Sequence, residues 1–329
     1  MKTNEQNTKK RFKLFDMNRD GKGVYEHETR KPTLAFFFKL YFRKFSQLLQ
    51  LNLLMLFMVL PIIAAIFMFL LGNKTNTATD TLFAPLYGLN ISTSSLPSIT
   101  SLFDTTIIQM DIPAMTPLTN VIMIVLGVFL AVTWGWQNVG ATYVLKGLFK
   151  GDAVFVFSDY FYAIKRNLKQ GFILGLLDFA CIAVLIVDFI YFSGVGGTFG
   201  LDFMYFATVA LVIIYAVMRF YIYNLLVTFD IKIFKLLKNA LIFSILGIKR
   251  NLMALLGILL LVALHVILLV FFIPIGISIP LILPFVYALA TLGFITTYAA
   301  FPVIEKYMIT PYQEQAEKQD SEEYDEITE

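Results

Sequence analysis

Residues 252 to 273 read LMALLGILLLVALHVILLVFFI, an apolar run in which His265 is the one ionisable side chain. An α-helix of about 20 apolar residues crosses the roughly 30 Å hydrocarbon core of a bilayer. Five other stretches have the same character, so the sequence predicts an all-helical, polytopic membrane protein. Its six transmembrane helices are predicted near residues 48–71, 118–145, 171–192, 203–227, 252–273 and 281–304.

Lysine and arginine are distributed unevenly between the two sides of these spans. Of the 26 basic residues, 24 fall before the first span, between the second and third, between the fourth and fifth, and after the last. The opposite loops contain only Lys74. Because cytoplasmic loops carry an excess of Lys and Arg, both termini are predicted to be cytoplasmic, in a multi-pass protein of the cytoplasmic membrane.

The chain divides into three parts by composition. Residues 1–47 form a basic cytoplasmic arm with an interfacial helix, 48–304 the transmembrane domain, and 305–329 an acidic cytoplasmic tail. The outside loop 72–117 is long for a connector, which predicts an exterior cap or a binding loop. A composition that is 58% hydrophobic is atypical of soluble domains. A basic segment beside the membrane suits anionic lipid rather than nucleic acid.

Basic residues also mark the predicted membrane surface. A pair of cations precedes each span that starts inside, and a Lys-Arg-Asn-Leu sequence occurs at 165–168 and again at 249–252. This pattern predicts three helical hairpins, each with an amphipathic juxtamembrane helix; a duplication and a shared need for orienting charges both explain it. A further surface helix on the inner leaflet is predicted around 232–241. The membrane-surface cations are Arg43, Lys44, Lys165, Arg166, Lys232, Lys235, Lys238, Lys249 and Arg250.

Four ionisable residues fall inside the predicted spans, where charge is costly. Asp178 and Arg219 lie at similar depths in adjacent spans, roughly 10 to 13 Å from the cytoplasmic ends at 1.5 Å per residue. We predict that they form an ion pair, either as a structural clamp or as part of a functional pathway. Asp188 is the rival partner for Arg219. His265 is expected to be a neutral histidine bonded to a neighbouring helix, with a proton relay or metal ligand as the alternative.

The second span carries small residues at regular spacing. Gly127, Ala131 and Gly135 recur every four residues, on one helix face. Small residues allow the backbone of another helix to approach closely. We therefore predict a helix-packing face along these three positions.

The sequence offers little support for catalysis or metal binding. Asp16, Asn18 and Asp20 match the first half of a calcium-binding EF-hand loop, but His27 stands where that loop needs a bidentate Glu. With two His, one Cys and no phosphate-binding glycine loop, no catalytic, cofactor-binding or metal-ligating residues are assigned, and an enzyme is not expected. Cys181 lies inside the third span, so no disulfide can form within one chain.

Several short stretches resemble a known family. They are LFDMNRDGKGV at 14–24, FKLYFRKF at 38–45, LNLL at 51–54, GDAVF at 151–155 and SDYF at 158–161. These stretches are similar to the YesL-like family, integral membrane proteins of Gram-positive bacteria with a domain of unknown function. Members are often encoded beside carbohydrate ABC importers. The resemblance implies an accessory role in carbohydrate transport, with importer permease subunits and an extracellular solute-binding protein as partners.

Two functions therefore follow from the sequence. The first, which the resemblance implies, is an accessory or assembly subunit of a carbohydrate ABC importer. Neither cytoplasmic loop contains the Glu-Ala-Ala signature of a core permease, which favours an accessory protein over the permease itself. The second is an autonomous secondary transporter or channel that uses Asp178, Arg219 and His265 along a polar path. Membrane lipid is the expected environment in both cases.

Overall fold

A computed structural model describes residues 32–71, 74–75, 112–113, 117–195, 197–272, 274–276 and 279–315. Within these ranges the regular secondary structure is helical except for two paired strands of two residues each, so the prediction of an all-helical protein is confirmed. The elements in chain order are α1 (Leu34–Arg43), α2 (Phe45–Leu71), β1 (Lys74–Thr75), β2 (Ile112–Pro113), α3 (Pro117–Lys150), α4 (Val156–Arg166), α5 (Leu168–Gly194), α6 (Phe199–Leu226), α7 (Ile233–Leu246), α8 (Ile248–Phe272) and α9 (Ile279–Ile304).

Five helices are individually long and apolar enough to cross a membrane, namely α3, α5, α6, α8 and α9. The last of these continues through a π-helical turn, Glu305–Ile309, as far as Gln315. Residues 305–315, the start of the predicted acidic tail, are therefore helical. The described residues therefore contain five to six potential membrane spans, depending on whether the bent α2 is counted as one.

Helix α2 is bent. Its segments Phe45–Phe57 and Val59–Ala65 meet at 58°, and together they satisfy the length and hydropathy of a span. Pro61 lies inside the helix. Its ring clashes with the carbonyl four residues earlier, at Phe57, which is where the first segment ends.

The long predicted outside loop 72–117 is described only at its ends. Lys74 pairs with Pro113 and Thr75 with Ile112 in an antiparallel register. This short pairing draws the end of α2 and the start of α3 together. The remainder of the loop lies outside the described residues, as do the arm 1–31 with its half EF-hand match and the tail beyond 315.

Three junctions between a short helix and a span have nearly the same backbone geometry. Lys44 (φ −102°, ψ 10°), Asn167 (φ −111°, ψ 26°) and Gly247 (φ −87°, ψ 14°) join α1 to α2, α4 to α5 and α7 to α8. All three lie near the bridge region. Each N–H donates to the carbonyl four residues earlier and each carbonyl accepts from the N–H four residues later. The junction residue itself thus keeps both of its backbone hydrogen bonds through the turn.

The repeated Lys-Arg-Asn-Leu sequence does not occupy equivalent places in these junctions. Asn167 of the first copy is the junction residue itself, whereas the second copy begins two residues after the junction at Gly247. The three structural units therefore correspond by backbone geometry and not by this tetrapeptide. Three short helices do precede α2, α5 and α8, as the predicted hairpins require.

The core lies at the end of the molecule that carries these junctions. The buried residues of α3 fall between Gly135 and Phe149, and those of α5 between Gly171 and Asp178. In α8 only Asn251 and Ala254 are buried among the described residues. The opposite halves of the spans are largely exposed apolar surface. Hydrocarbon tails are as apolar as these side chains, so a bilayer would cover them without cost.

Helix α9 occupies the centre of the arrangement, where it packs against α2, α3, α6 and α8. Asn52 fixes α2 to it: the Asn52 Nδ2 donates to the carbonyl of Phe285, and the Ala290 N–H donates to Asn52 Oδ1 at 3.0 Å. This contact lies just beyond Pro284, which lacks a backbone donor. Helix α8, by contrast, packs mainly against α9 and is peripheral.

Candidate functional site: a buried carboxylate between three helices

Asp178 is the buried acidic residue of the described core, with 2% of its surface exposed. It projects from the first half of α5, close to the junction end. A carboxylate in an apolar environment loses its hydration and must be compensated by donors or by an opposite charge. The surrounding helices α3 and α6 supply both.

The structure brings Asp178 and Arg219 together. The Arg219 Nε lies 2.9 Å from Asp178 Oδ1 and 3.2 Å from Oδ2. Three neutral donors complete the shell: Tyr215 Oη donates to Oδ1 at 2.7 Å, Tyr223 Oη to Oδ2 at 2.7 Å, and Trp134 Nε1 to Oδ2 at 2.8 Å. Four side chains from two helices thus converge on one carboxylate.

The sequence of α6 explains how that helix supplies three of the donors. Tyr215, Arg219 and Tyr223 are spaced four residues apart, so they lie on one face of the helix. Helix α3 adds Trp134, whose ring also lies under the guanidinium of Arg219, 5.5 Å from ring centroid to Cζ. This cation–π contact gives the arginine a second favourable neighbour.

The carboxylate has no free acceptor position for a ligand. An ionised carboxylate accepts at about four lone-pair sites, and the four surrounding side chains occupy them. Arg219 is the more accessible partner, with 30% of its side chain exposed. Chemically, the group cross-links α3, α5 and α6, and it would have to break its own hydrogen bonds to accept a proton or contact a substrate.

The other intramembrane polar residues lie apart from this group. Asp188, the rival partner, lies ten residues further along α5, about 15 Å at 1.5 Å per residue, and is half-buried. His265 lies on the peripheral α8. Its Nδ1 is buried and has no hydrogen-bond partner in the described part of the chain, and the predicted bond to a neighbouring helix stays a prediction.

The predicted small-residue face contacts another backbone at one end and meets none of the described residues at the other. At Gly135, an added Cβ would overlap the carbonyl oxygen of Gly171 and lie 2.6 Å from the Cα of Gly175. The backbones of α3 and α5 therefore touch there. At Gly127 an added Cβ meets nothing within 4 Å, because this position lies in the half of α3 where the described helices no longer pack. Ala131, which lies between these two positions, is half-buried.

The predicted surface cations lie at the junction end. Those on or beside the three short helices are exposed at Arg43, Lys165, Arg166, Lys232, Lys235, Lys238 and Lys249, and half-buried at Lys44 and Arg250. Partial burial, and then the charge of neighbouring Arg43, lower the pKa of Lys44. Cys181 is exposed, and the described residues contain no group of three His, Cys, Asp or Glu that could hold a metal ion.

Sequence reasoning missed the two tyrosines and the role of Trp134. The signal that could have found them is the four-residue spacing of Tyr215, Arg219 and Tyr223, which places two hydroxyl donors beside the one cation of that span. Asn52 is a second omission. An amide inside an apolar span is itself costly, and Asn52 bonds in this structure to the backbone of α9.

Fold and site together describe an all-helical protein with several helices apolar enough to span a membrane and a hydrogen-bonded ion pair in its core. No family model, no curated protein and no solved structure matches this chain. The resemblance to the YesL-like family therefore stays a prediction from the motifs quoted above.

Proposed function

We propose that this chain crosses the cytoplasmic membrane six times, with both termini inside, and acts as an accessory or assembly subunit of a larger membrane complex. Counting the bent α2 as one span gives six. An even number of spans returns the C-terminus to the side of the N-terminus. The uneven distribution of Lys and Arg supports placing that side in the cytoplasm.

A topology experiment can use the single cysteine of the chain. Cys181 is exposed in α5, so Cys181→Ser should provide a folded background without thiols. In whole cells, a membrane-impermeant maleimide should label Ser94→Cys in the loop 72–117 and leave Ser321→Cys in the tail unlabelled until the cells are permeabilised. Labelling of Ser321→Cys in intact cells would reject the proposed orientation.

The observation that supports the accessory role is that hydrogen-bond donors surround the carboxylate of Asp178. A transport pathway needs groups that exchange partners with a solute or a proton, whereas Asp178 is engaged by Trp134, Tyr215, Arg219 and Tyr223. This arrangement is better suited to holding helices in register than to carrying a solute. The partner class, a carbohydrate ABC importer, comes from the family resemblance alone.

The lipid-facing halves of the spans supply surface for such a partner. Helix α8 is covered mainly by α9 and presents most of its apolar side chains outward. In membranes, helices associate through packing and hydrogen bonds and not through the hydrophobic effect. Permease helices would compete with lipid for this surface.

An autonomous transporter or channel is the second candidate. Two observations favour it: 30% of the Arg219 side chain is exposed, and the buried Nδ1 of His265 has no partner among the described residues. Intramembrane ionisable groups of this kind are frequent in solute and proton pathways.

A pull-down separates the two functions. The protein, tagged at its C-terminus and extracted from its native membrane in mild detergent, should retain importer permease subunits in stoichiometric amounts. A tagged six-span protein of unrelated sequence from the same membrane serves as the control. Recovery of the protein alone, together with solute flux in liposomes that Asp178→Asn abolishes, would reject the accessory role in favour of transport.

A further inference from the structure

The strongest unassigned feature is a cleft of about 460 Å³ at the junction end of the molecule. One wall is the α4–α5 junction, residues 165–170, and the other is the end of α6 with the residues that follow it, 226–230. Helix α5 begins and helix α6 ends at this level. The cleft therefore lies where two apolar spans give way to polar sequence, which is the depth of the lipid headgroups.

The charge of the cleft favours an anion. Lys165, Arg166 and Lys169 line one wall, against a single carboxylate, Asp230, on the other. Both Lys165 and Arg166 are exposed, and the side-chain amide of Gln170 adds a hydrogen-bond donor. Basic pockets between transmembrane helices on the cytoplasmic side are suited to acidic lipid headgroups.

Helix ends also line the cleft. The cleft includes residues 168–170, the first turn of the 27-residue helix α5, where backbone N–H groups have no acceptor within the helix. The side chain of Asn167 does not cap them, because its Nδ2 donates backwards to the carbonyl of Ala163 at 3.0 Å. The N-terminus of α5 lies at the cleft together with the C-terminal ends of α4 and α6, so the helix dipoles oppose one another there and the three cations decide the sign of the charge.

The surroundings distinguish a lipid from a soluble phosphate. The amphipathic helix α4 exposes aromatic rings next to the cleft, at Phe157 (52%) and Phe161 (50%), and Leu168 at the rim is 49% exposed. Exposed rings on a surface helix are typical of insertion among acyl chains. A soluble anion would gain nothing from them.

We propose that this cleft binds the phosphate-bearing headgroup of an anionic phospholipid of the inner leaflet. The inference rests on the proposed membrane orientation but not on an importer partner. The headgroup phosphate lies among Lys165, Arg166 and Lys169, and the acyl chains leave over Leu168. Bound lipid would fix the end of α6 to the start of α5, close to the Asp178 group that joins the same two helices.

The natural tryptophans provide the test. The chain has two, and Trp136 Nε1 donates to the carbonyl of Leu168 at 2.9 Å, at the rim of the cleft. Phosphatidylglycerol brominated on its acyl chains should quench the fluorescence of the full-length protein in neutral detergent micelles, at lower mole fraction than brominated phosphatidylcholine. The variant Lys165→Gln/Arg166→Gln/Lys169→Gln should bind phosphatidylglycerol about a hundredfold more weakly, since each of the three cations contributes roughly a fivefold factor at an anionic surface.

A matched control removes the same charge elsewhere on the same surface. Lys232→Gln/Lys235→Gln/Lys238→Gln alters exposed residues outside the cleft and should change the binding by less than about twofold. Equal weakening in the two triple variants would overturn the site. So would equal quenching by the two lipids on the wild-type protein, a result that needs no variant.

Inorganic phosphate tests the source of the anion. Millimolar phosphate should leave the quenching by brominated phosphatidylglycerol unchanged, because it gains neither the apolar rim nor a membrane surface. Complete displacement by phosphate would overturn the lipid assignment in favour of a soluble anion. Neither result bears on the pull-down of permease subunits, so failure here and failure of the accessory role are distinguishable.

Discussion

Replacing Asp178 by Asn should lower the free energy of unfolding by about 3 kcal/mol, because it leaves the guanidinium of Arg219 without its counter-charge in the core. The substitution keeps the volume of the side chain. It also turns one acceptor into a donor that faces the donors Trp134, Tyr215 and Tyr223. The loss is measurable by titration with sodium dodecyl sulfate in mixed micelles, followed by circular dichroism.

The same helix offers the control. Asp188→Asn makes the same chemical change at a half-buried position outside this group and should alter the free energy by less than about 0.5 kcal/mol. In the double variant Asp178→Asn/Arg219→Gln, the losses should fall short of additivity by about 1–3 kcal/mol, as expected of groups in direct contact. Additive losses, or equal effects of the two aspartate variants, would contradict the clamp.

Gly135→Ala should destabilise the protein by about 3 kcal/mol, at the upper end of overpacking costs. The added Cβ would lie 2.6 Å from the Cα of Gly175 and overlap the carbonyl of Gly171. Both obstacles are backbone, so no side chain can rotate away. Helices α3 and α5 would have to separate, and that separation would lengthen the hydrogen bond from Trp134 to Asp178. Thermal unfolding in detergent is the readout.

The matched control lies two turns earlier on the same face. Gly127→Ala meets no atom within 4 Å and should be neutral or stabilise the helix by up to about 1 kcal/mol, the helix-propensity difference between the two residues. The same Gly→Ala substitution is thus expected to lower the stability at Gly135 and to leave it unchanged or raise it at Gly127. Destabilisation at both positions would indicate that another helix packs against Gly127.

Part of the candidate site could be predicted from the sequence. Asp178 and Arg219 stand out because an ionised group in an apolar span is costly, and their similar depths in consecutive spans favour a pair. Tyr215 and Tyr223 do not stand out, because the chain contains 16 tyrosines and a hydroxyl carries no comparable cost. Only the approach of α3 to α5 turns the indole N–H of Trp134 towards the carboxylate.

Other features depend on where helices meet. The stripe of Gly127, Ala131 and Gly135 has the right spacing throughout, yet only its junction-side end touches another backbone. Periodicity identifies a helix face and does not tell how far along it a neighbour remains in contact. The same limit applies to the Lys-Arg-Asn-Leu repeat, whose two copies lie at different places relative to the bends at Asn167 and Gly247.

The amino-acid sequence by itself determined the class of the protein, its apolar spans and the basic surface at one end. These properties follow from the transfer of side chains between water and hydrocarbon, which depends on composition and order along the chain. Tertiary structure decided which donors surround Asp178, where the spans are packed tightly, and that three cations share a cleft with the end of α6. These three features depend on contacts between residues that are far apart in the chain. Only helix packing brings such residues close together.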